Sequence, residues 1–147
     1  EGLAGSTTEA VVRRAAQPVV VTGTDTAGSE RFLLAYDGSR HAKAALRVAA
    51  ALAESWSMPF DVLVVGGEEA DPVLDEARGY LDAHAVEVEY VQREGDPDEV
   101  IVEYARERSM ALLVMGTYGH SKVRELVLGS TTSYAINHAP CPVLLAP

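Results

Sequence analysis

The sequence predicts an α/β protein built on an open, mainly parallel five-stranded sheet with helices on both faces. Three observations carry this prediction. The run Ala111-Leu112-Leu113-Val114-Met115 is five consecutive apolar residues ending at Gly116, as expected of a strand covered by helices on both sides. Runs of this kind alternate along the chain with segments of helical periodicity, in the order βαβαβαβαβ, which implies right-handed parallel crossovers. Glycines follow the apolar run at its carboxyl end, where open α/β sheets form their ligand crevice.

Taken in order, Arg31 to Tyr36 reads as the first strand of this body. Ser39 to about Glu54 reads as a helix, with Ala42, Ala45, Leu46, Ala49, Ala50 and Ala53 on one face, small enough for close packing on a sheet. Phe60 to Val65 is a second buried strand. Asp71-Pro72 starts a helix to about Ala83, and Val86 to Val91 is the third strand. Gly95-Asp96-Pro97 opens a helix to Arg108 that turns Val100, Ile101, Tyr104 and Ala105 inward. Ala111 to Met115, a helix from Ser130 to His138, and Pro142 to Leu145 complete the pattern.

At 147 residues, 48% of them hydrophobic, the chain can bury one substantial core. Its formal charge of -10 argues against a nucleic-acid partner, because binding the phosphate backbone requires a surplus of Lys and Arg. No apolar stretch is long enough to span a bilayer and no signal peptide opens the sequence, so no membrane partner and a cytoplasmic location are expected. The single cysteine, Cys141, is read as a small buried hydrophobe. Neither His84 nor His138 has a partner at metal-ligand spacing, so no metal site is expected.

Residues 24–30 read as a polar linker of small residues, and what precedes them repeats the end of the chain. With an offset of 124, residues 1–23 align without a gap on residues 125–147, and eight of the 23 pairs are identical. These include Gly5/Gly129, Ser6/Ser130, Thr7/Thr131, Thr8/Thr132, Pro18/Pro142 and Val19/Val143, where average residue usage would give roughly one or two. The expected organisation is therefore the closing helix and strand of a preceding repeat in 1–23, a linker in 24–30, and a complete domain in 31–147, the chain being a fragment of a tandem protein. The alternative is a convergent helix and strand added ahead of one domain.

The glycine pattern carries a family resemblance. Gly116-x-x-Gly119, nine residues, then Gly129-Ser130 resembles the nucleotide-binding members of the universal stress protein family. Asp37-Gly38-Ser39, Gly95-x-Pro97 and Pro142-Val143-Leu144-Leu145 match it further. Two features depart from it: Ala111 stands where many members have an acidic residue, and the stretch between the second and third strands of the domain is short. The resemblance implies a Rossmann-like fold of the adenine nucleotide alpha hydrolase-like type and a site for ATP, with or without Mg2+.

Candidate binding residues follow from chemistry and resemblance together. Gly116 and Gly119 are expected to allow positive φ and to let backbone approach a ribose or phosphate. At Gly129, Ser130 and Thr131 a helix begins; the two hydroxyls can cap it, and its N–H groups can hold phosphate. Asp37 either caps the helix after it or accepts a hydrogen bond from an adenine amino group, the role relatives give the matching residue. Val65 and Met115 are expected to wall the base, and both also suit a core. His120, Lys122 and Arg124 lie in the nine-residue span, where solvated side chains are the usual case; Arg40 and His41 are ambiguous in the same way.

The chain has no Gly-x-x-x-x-Gly-Lys-Ser/Thr loop and no Gly-x-Gly-x-x-Gly after the first strand, and no nucleophile evidently pairs with a base, so no catalytic residue is assigned. The expected function is an ATP-binding stress-response module whose occupancy affects dimerisation or partner binding. The alternatives are a structural dimerisation module without nucleotide and a slow ATPase or self-phosphorylating phosphotransferase. Family dimers commonly pair their final strands edge to edge, which suggests a homodimer or, within this chain, antiparallel pairing of Val19 to Val21 with Val143 to Leu145.

Overall fold

In the computed structural model, residues 6–22, 29–118 and 128–147 are described. Their elements run α1 (Ser6–Arg14), β1 (Val19–Val21), β2 (Phe32–Ala35), α2 (Arg40–Trp56), β3 (Phe60–Val65), α3 (Ala70–Leu81), β4 (Val88–Arg93), α4 (Pro97–Glu107), β5 (Leu113–Gly116), α5 (Ser130–His138) and β6 (Val143–Ala146). The sheet has six strands in the order β1-β6-β5-β2-β3-β4. All neighbours are parallel except β1 and β6, which pair antiparallel. The expected five-stranded sheet thus gains a sixth strand, β1, through the antiparallel pairing that the family resemblance and the terminal repeat together implied.

Alternation along the strands divides the core into two layers. Leu34, Val62, Val64, Val114 and Leu144 point to the face covered by α2 and α3. Leu33, Leu63, Leu113, Met115, Val143 and Leu145 point to the other face, which also gathers Ile101 and Tyr104 of α4, Ala135 of α5 and Val12 of α1. Full burial of each such aliphatic side chain contributes about 1.5–3 kcal/mol. Helix α2 fits closely because it lays Ala42, Ala45, Ala49, Ala50 and Ala53 on the sheet. Cys141 is buried, and burial pushes its thiol up to about 11, consistent with a packing role.

Three elements differ in their bounds from the sequence reading for identifiable reasons. Strand β4 starts two residues later and ends at Arg93 instead of Val91, because it follows the register of β3, from Phe60↔Val88 to Val65↔Arg93. It is an edge strand, so its polar end residues are tolerated. Helix α3 starts at Ala70, where the Ala70 N–H donates to the Gly67 carbonyl at 3.0 Å, so Pro72 is its third residue rather than its second. Strand β5 runs from Leu113 to Gly116, not from Ala111 to Met115, set by the register Leu113↔Val143 to Gly116↔Ala146.

Aspartate 61 interrupts the apolar run of β3 and is fully buried. Its carboxylate accepts from Arg31 Nε at 2.7 Å and from the Tyr104 hydroxyl at 2.6 Å, and Arg108 lies 3.7 Å away. A buried carboxylate is stable only with such partners. This network ties the starts of β2 and β3 to the end of α4, at the end of the sheet opposite the carboxyl ends of the strands.

Candidate functional site

The chain passes from β2 outward to β3 and β4, then returns to the other side of β2 with β5 and β6. The order therefore reverses between β2 and β5, and ligands of open α/β sheets bind at such a switch point. A cavity of about 240 Å³ lies there. Tyr36 and Asp37 enter it from the end of β2, Leu63 and Val65 from β3, and Met115 and Gly116 from β5, while Gly129, Ser130 and Thr131 form its edge at the start of α5.

Seven of the eight sequence-chosen residues thus meet at one cavity: Asp37, Val65, Met115, Gly116, Gly129, Ser130 and Thr131. Gly119 lies outside the described residues, as do His120, Lys122 and Arg124. Sequence reasoning missed Tyr36, Tyr118, Pro97 and Ile101, which also line the cavity. The last two bring the first turns of α4 to its wall; Gly95-x-Pro97 marked where that helix begins, and Ile101 stands one turn further along.

The local geometry revises three expectations. Gly116 does not adopt positive φ; among the described glycines only Gly38 and Gly95 do. A Cβ on Gly116 would stand 2.6 Å from the carbonyl carbon of His41 and 2.8 Å from its oxygen, so this glycine admits the first turn of α2 against the end of β5. His41 is buried beneath it, with its ring edge-on to Tyr118 at 5.0 Å. The second revision concerns α5, whose N-cap is Gly129 and which has no side-chain cap. The Thr131 hydroxyl instead donates to Asp98 Oδ1 at 2.6 Å, and the Thr132 hydroxyl donates to the Thr117 carbonyl at 2.8 Å. These bonds fix α5 against α4 and β5 and leave its first turn, without a side-chain cap, facing the cavity.

The third revision concerns Asp37. Ser39, not Asp37, caps α2, accepting from the Ala42 N–H at 3.2 Å. Asp37 is exposed, and its Oδ1 accepts from the Ser39 N–H at 3.0 Å, so it shapes the turn that presents its carboxylate at the cavity. Nearby, the Tyr36 hydroxyl donates to Glu76 Oε1 at 2.8 Å, and Lys43 Nζ lies 3.1 Å from Glu76 Oε2. The Tyr36 bond, aided by Lys43 against some desolvation, holds the Glu76 carboxyl below its ordinary range. Burial, then Glu76, pushes the Tyr36 phenol well above its own, so it stays protonated.

The cavity therefore offers apolar walls, one carboxylate and a helix amino end. Among the described residues its lining contains no Lys, Arg, His or Cys, and no group of three or more metal-ligating side chains occurs among them anywhere in the structure. Such a lining suits recognition of a flat, partly polar ligand that carries an anionic group. Among the described residues, no helix is long and apolar enough to cross a membrane.

Fold and cavity define a doubly wound α/β protein with a ligand-sized cavity at its switch point. The model of the universal stress protein family matches residues 67–147, and the chain belongs to that family. It is 38% identical to a universal stress protein of Thermus aquaticus, over 78% of this chain and 96% of that one. To universal stress protein Slr1230 of Synechocystis it is 31% identical over 98% of its own length, yet it spans only 52% of that relative.

A universal stress protein structure from Archaeoglobus fulgidus superposes with a TM-score of 0.78 and 28% identity, covering 98% of this chain and 54% of that one. Two further structures share the fold. One is a universal stress protein in complex with cAMP (TM-score 0.68, 24% identity, 84% of this chain and 98% of that one). The other is an Arabidopsis thaliana family protein with AMP bound (TM-score 0.61, 18% identity, 80% and 90%).

Proposed function

We propose that the cavity binds an adenine nucleotide, ATP with Mg2+ carried on its phosphates, and that occupancy acts as a switch on assembly or partner binding in a cytoplasmic stress response. The observation that carries this reading is the convergence of Asp37, Val65, Met115 and the uncapped start of α5 on one cavity at the β2/β5 switch point. The apolar ends of β3 and β5 suit the faces of a base, and Asp37 suits its amino group. The N–H groups of Ser130 and Thr131 at the positive end of the α5 dipole suit a phosphate. At about 240 Å³ the cavity is slightly below the roughly 300–1,000 Å³ of sites that enclose a whole drug-sized ligand, which favours an enclosed nucleoside and phosphates at the mouth. The cAMP- and AMP-bound proteins of the same fold support an adenine ligand.

A lining whose one carboxylate, Asp37, is assigned to the amino group of the base, and which holds no cationic side chain among the described residues, favours binding over turnover, with hydrolysis or self-phosphorylation at most weak. Because β1 occupies the edge of β6 within the chain, the pairing that family dimers make between two final strands is made here internally.

Calorimetric titration with ATP and adenosine, on the parent chain and on Ser130→Asp, tests the reading. Ser130 is exposed, and an acidic residue in a first helical turn stabilises the helix by about 0.3–1 kcal/mol, so the fold is preserved. ATP is expected to bind saturably and at least about tenfold more weakly to the variant, a loss of about 1.4 kcal/mol, with adenosine unaffected. Equal ATP affinity in both chains would remove the phosphates from α5, and the lack of any saturable binding would favour a purely structural dimerisation module.

A further inference from the structure

Strand β4 ends the sheet on the side away from β1, and among the described residues it has a neighbour on one edge only, that of β3. None of its six residues is buried, whereas every residue of β2, β5 and β6 is. The carbonyls of Glu87 and Arg93 turn inward, accepting from the Phe60 and Gly66 N–H groups at 3.1 and 2.8 Å. By alternation along the parallel ladder, Val88, Tyr90 and Gln92 turn their backbone N–H and C=O groups outward. Lysine, proline or a bulge commonly guards such an edge, and β4 has none of them, its register with β3 being unbroken. Its two charged side chains are engaged on the α4 face instead. Glu89 lies 3.6 Å from Arg31 and 3.5 Å from Arg108, and Arg93 lies over the Tyr104 ring at 5.2 Å.

On that face a groove of about 340 Å³ separates the end of β4 from α4, lined by Arg93, Tyr104, Glu94, Glu99, Glu103 and Glu107. All four glutamates are exposed. Glu99, Glu103 and Glu107 recur every fourth residue and so stand one above another on the helix. Of these three only Glu103 has an ionic partner among the described residues, Arg106 of its own helix at 3.5 Å. Like charges at this spacing destabilise a helix, and Glu107 in the last turn also meets the negative end of the dipole. A partner of opposite charge offsets both effects.

We propose that the outer edge of β4 binds an extended basic segment of another protein, which joins the sheet as a further strand and directs alternate Lys or Arg side chains into the groove beside α4. The outward backbone groups of Val88, Tyr90 and Gln92 hold its main chain, and the glutamate stripe selects its charge. The spacings agree: alternate residues of a strand stand about 6.6 Å apart, and Glu99, Glu103 and Glu107 about 6 Å apart along the helix. A second copy of this chain is a poor occupant, because in a protein of net charge -10 its own β4 edge sets Glu against Glu. Nothing in this interaction depends on nucleotide binding.

The probe is an acetylated and amidated heptapeptide in which Lys and Thr alternate, beginning and ending with Lys. Its controls are a peptide of the same composition with all Lys in one block, and the alternating peptide fully N-methylated, which keeps the charge and has no backbone donor. Titration calorimetry reads affinity and amide hydrogen exchange by NMR locates binding, on the parent chain and on the triple variant Glu99→Gln, Glu103→Gln, Glu107→Gln. All three side chains are exposed, so the fold is preserved. The alternating peptide is expected to bind the parent saturably and to slow exchange at Val88, Tyr90 and Gln92 at least about tenfold. Each control peptide on the parent, and the alternating peptide on the triple variant, is expected to bind at least about fivefold more weakly. No saturable binding at millimolar peptide, unchanged exchange along β4, or equal affinity for either control or for the triple variant overturns the proposal. So does exchange along β4 that slows with the concentration of the chain alone, which would give this edge to a second copy.

Discussion

Replacing Gly116 with alanine separates two reasons for a glycine at the end of β5. The added Cβ would lie 2.6–2.8 Å from the carbonyl carbon, oxygen and Cβ of His41. Carbon atoms pack at about 3.5–4.0 Å, so the start of α2 and the end of β5 must part by about 1 Å. Neither can move alone, since β5 is held between β2 and β6 and α2 is anchored by its row of alanines on the sheet. Overpacking of this kind costs about 1–3 kcal/mol, offset by about 0.4–1 kcal/mol from the stiffer unfolded chain. The net loss, up to about 2.6 kcal/mol, corresponds to as much as roughly 10 °C in Tm for a chain of this size. Thermal and urea unfolding followed by circular dichroism measure it, with ATP titration of the same sample. The reasoning requires stability and binding to fall together, because the displaced turn also carries Ser39 and Ala42 at the cavity wall. A variant as stable as the parent that no longer binds ATP would refute the packing argument and make Gly116 a clearance for ligand.

Two further predictions concern the polar groups. Arg31→Met leaves the fully buried Asp61 carboxylate without its 2.7 Å partner and is expected to cost about 3–5 kcal/mol in urea unfolding, while adding Asp61→Val recovers part of that loss; a double variant less stable than the single would contradict the role assigned to Arg31. Glu76, held below its ordinary range near 4.5, contributes stability that is present above that value and is lost as pH falls through its lowered folded value. The Tm of the parent is therefore expected to drop more steeply below about pH 4.5 than that of Glu76→Gln, and parallel profiles would show that the bond from Tyr36 contributes nothing.

The parts of the molecule legible in the sequence are those specified by local pattern. Five strands and their helices follow from apolar periodicity, and the pairing of β1 with β6 is implied by the family resemblance, whose dimers pair final strands, applied to the repeat of Val19 at Val143. The approximate lining of the cavity was legible as well, because ends of parallel strands and the start of the next helix are neighbours by topology. What remained hidden depends on contacts distant in sequence. The Thr131 hydroxyl resembles a cap locally, yet its partner is Asp98, 33 residues away in sequence. Asp61 carries no local sign of its partners, because Arg31 and Tyr104 lie 30 and 43 residues away in sequence. Gly116 suggests a ligand loop by its spacing, whereas its missing Cβ is explained by His41 on a helix 75 residues earlier.

The most direct measurement is a crystal structure of the chain grown with ATP and Mg2+ at millimolar concentration. The predicted result is density running from Asp37, between Val65 and Met115, to phosphates against the N–H groups of Ser130 and Thr131. Nucleotide bound elsewhere, or an empty cavity at saturating ATP, would contradict the central claim that the β2/β5 switch point is an adenine nucleotide site.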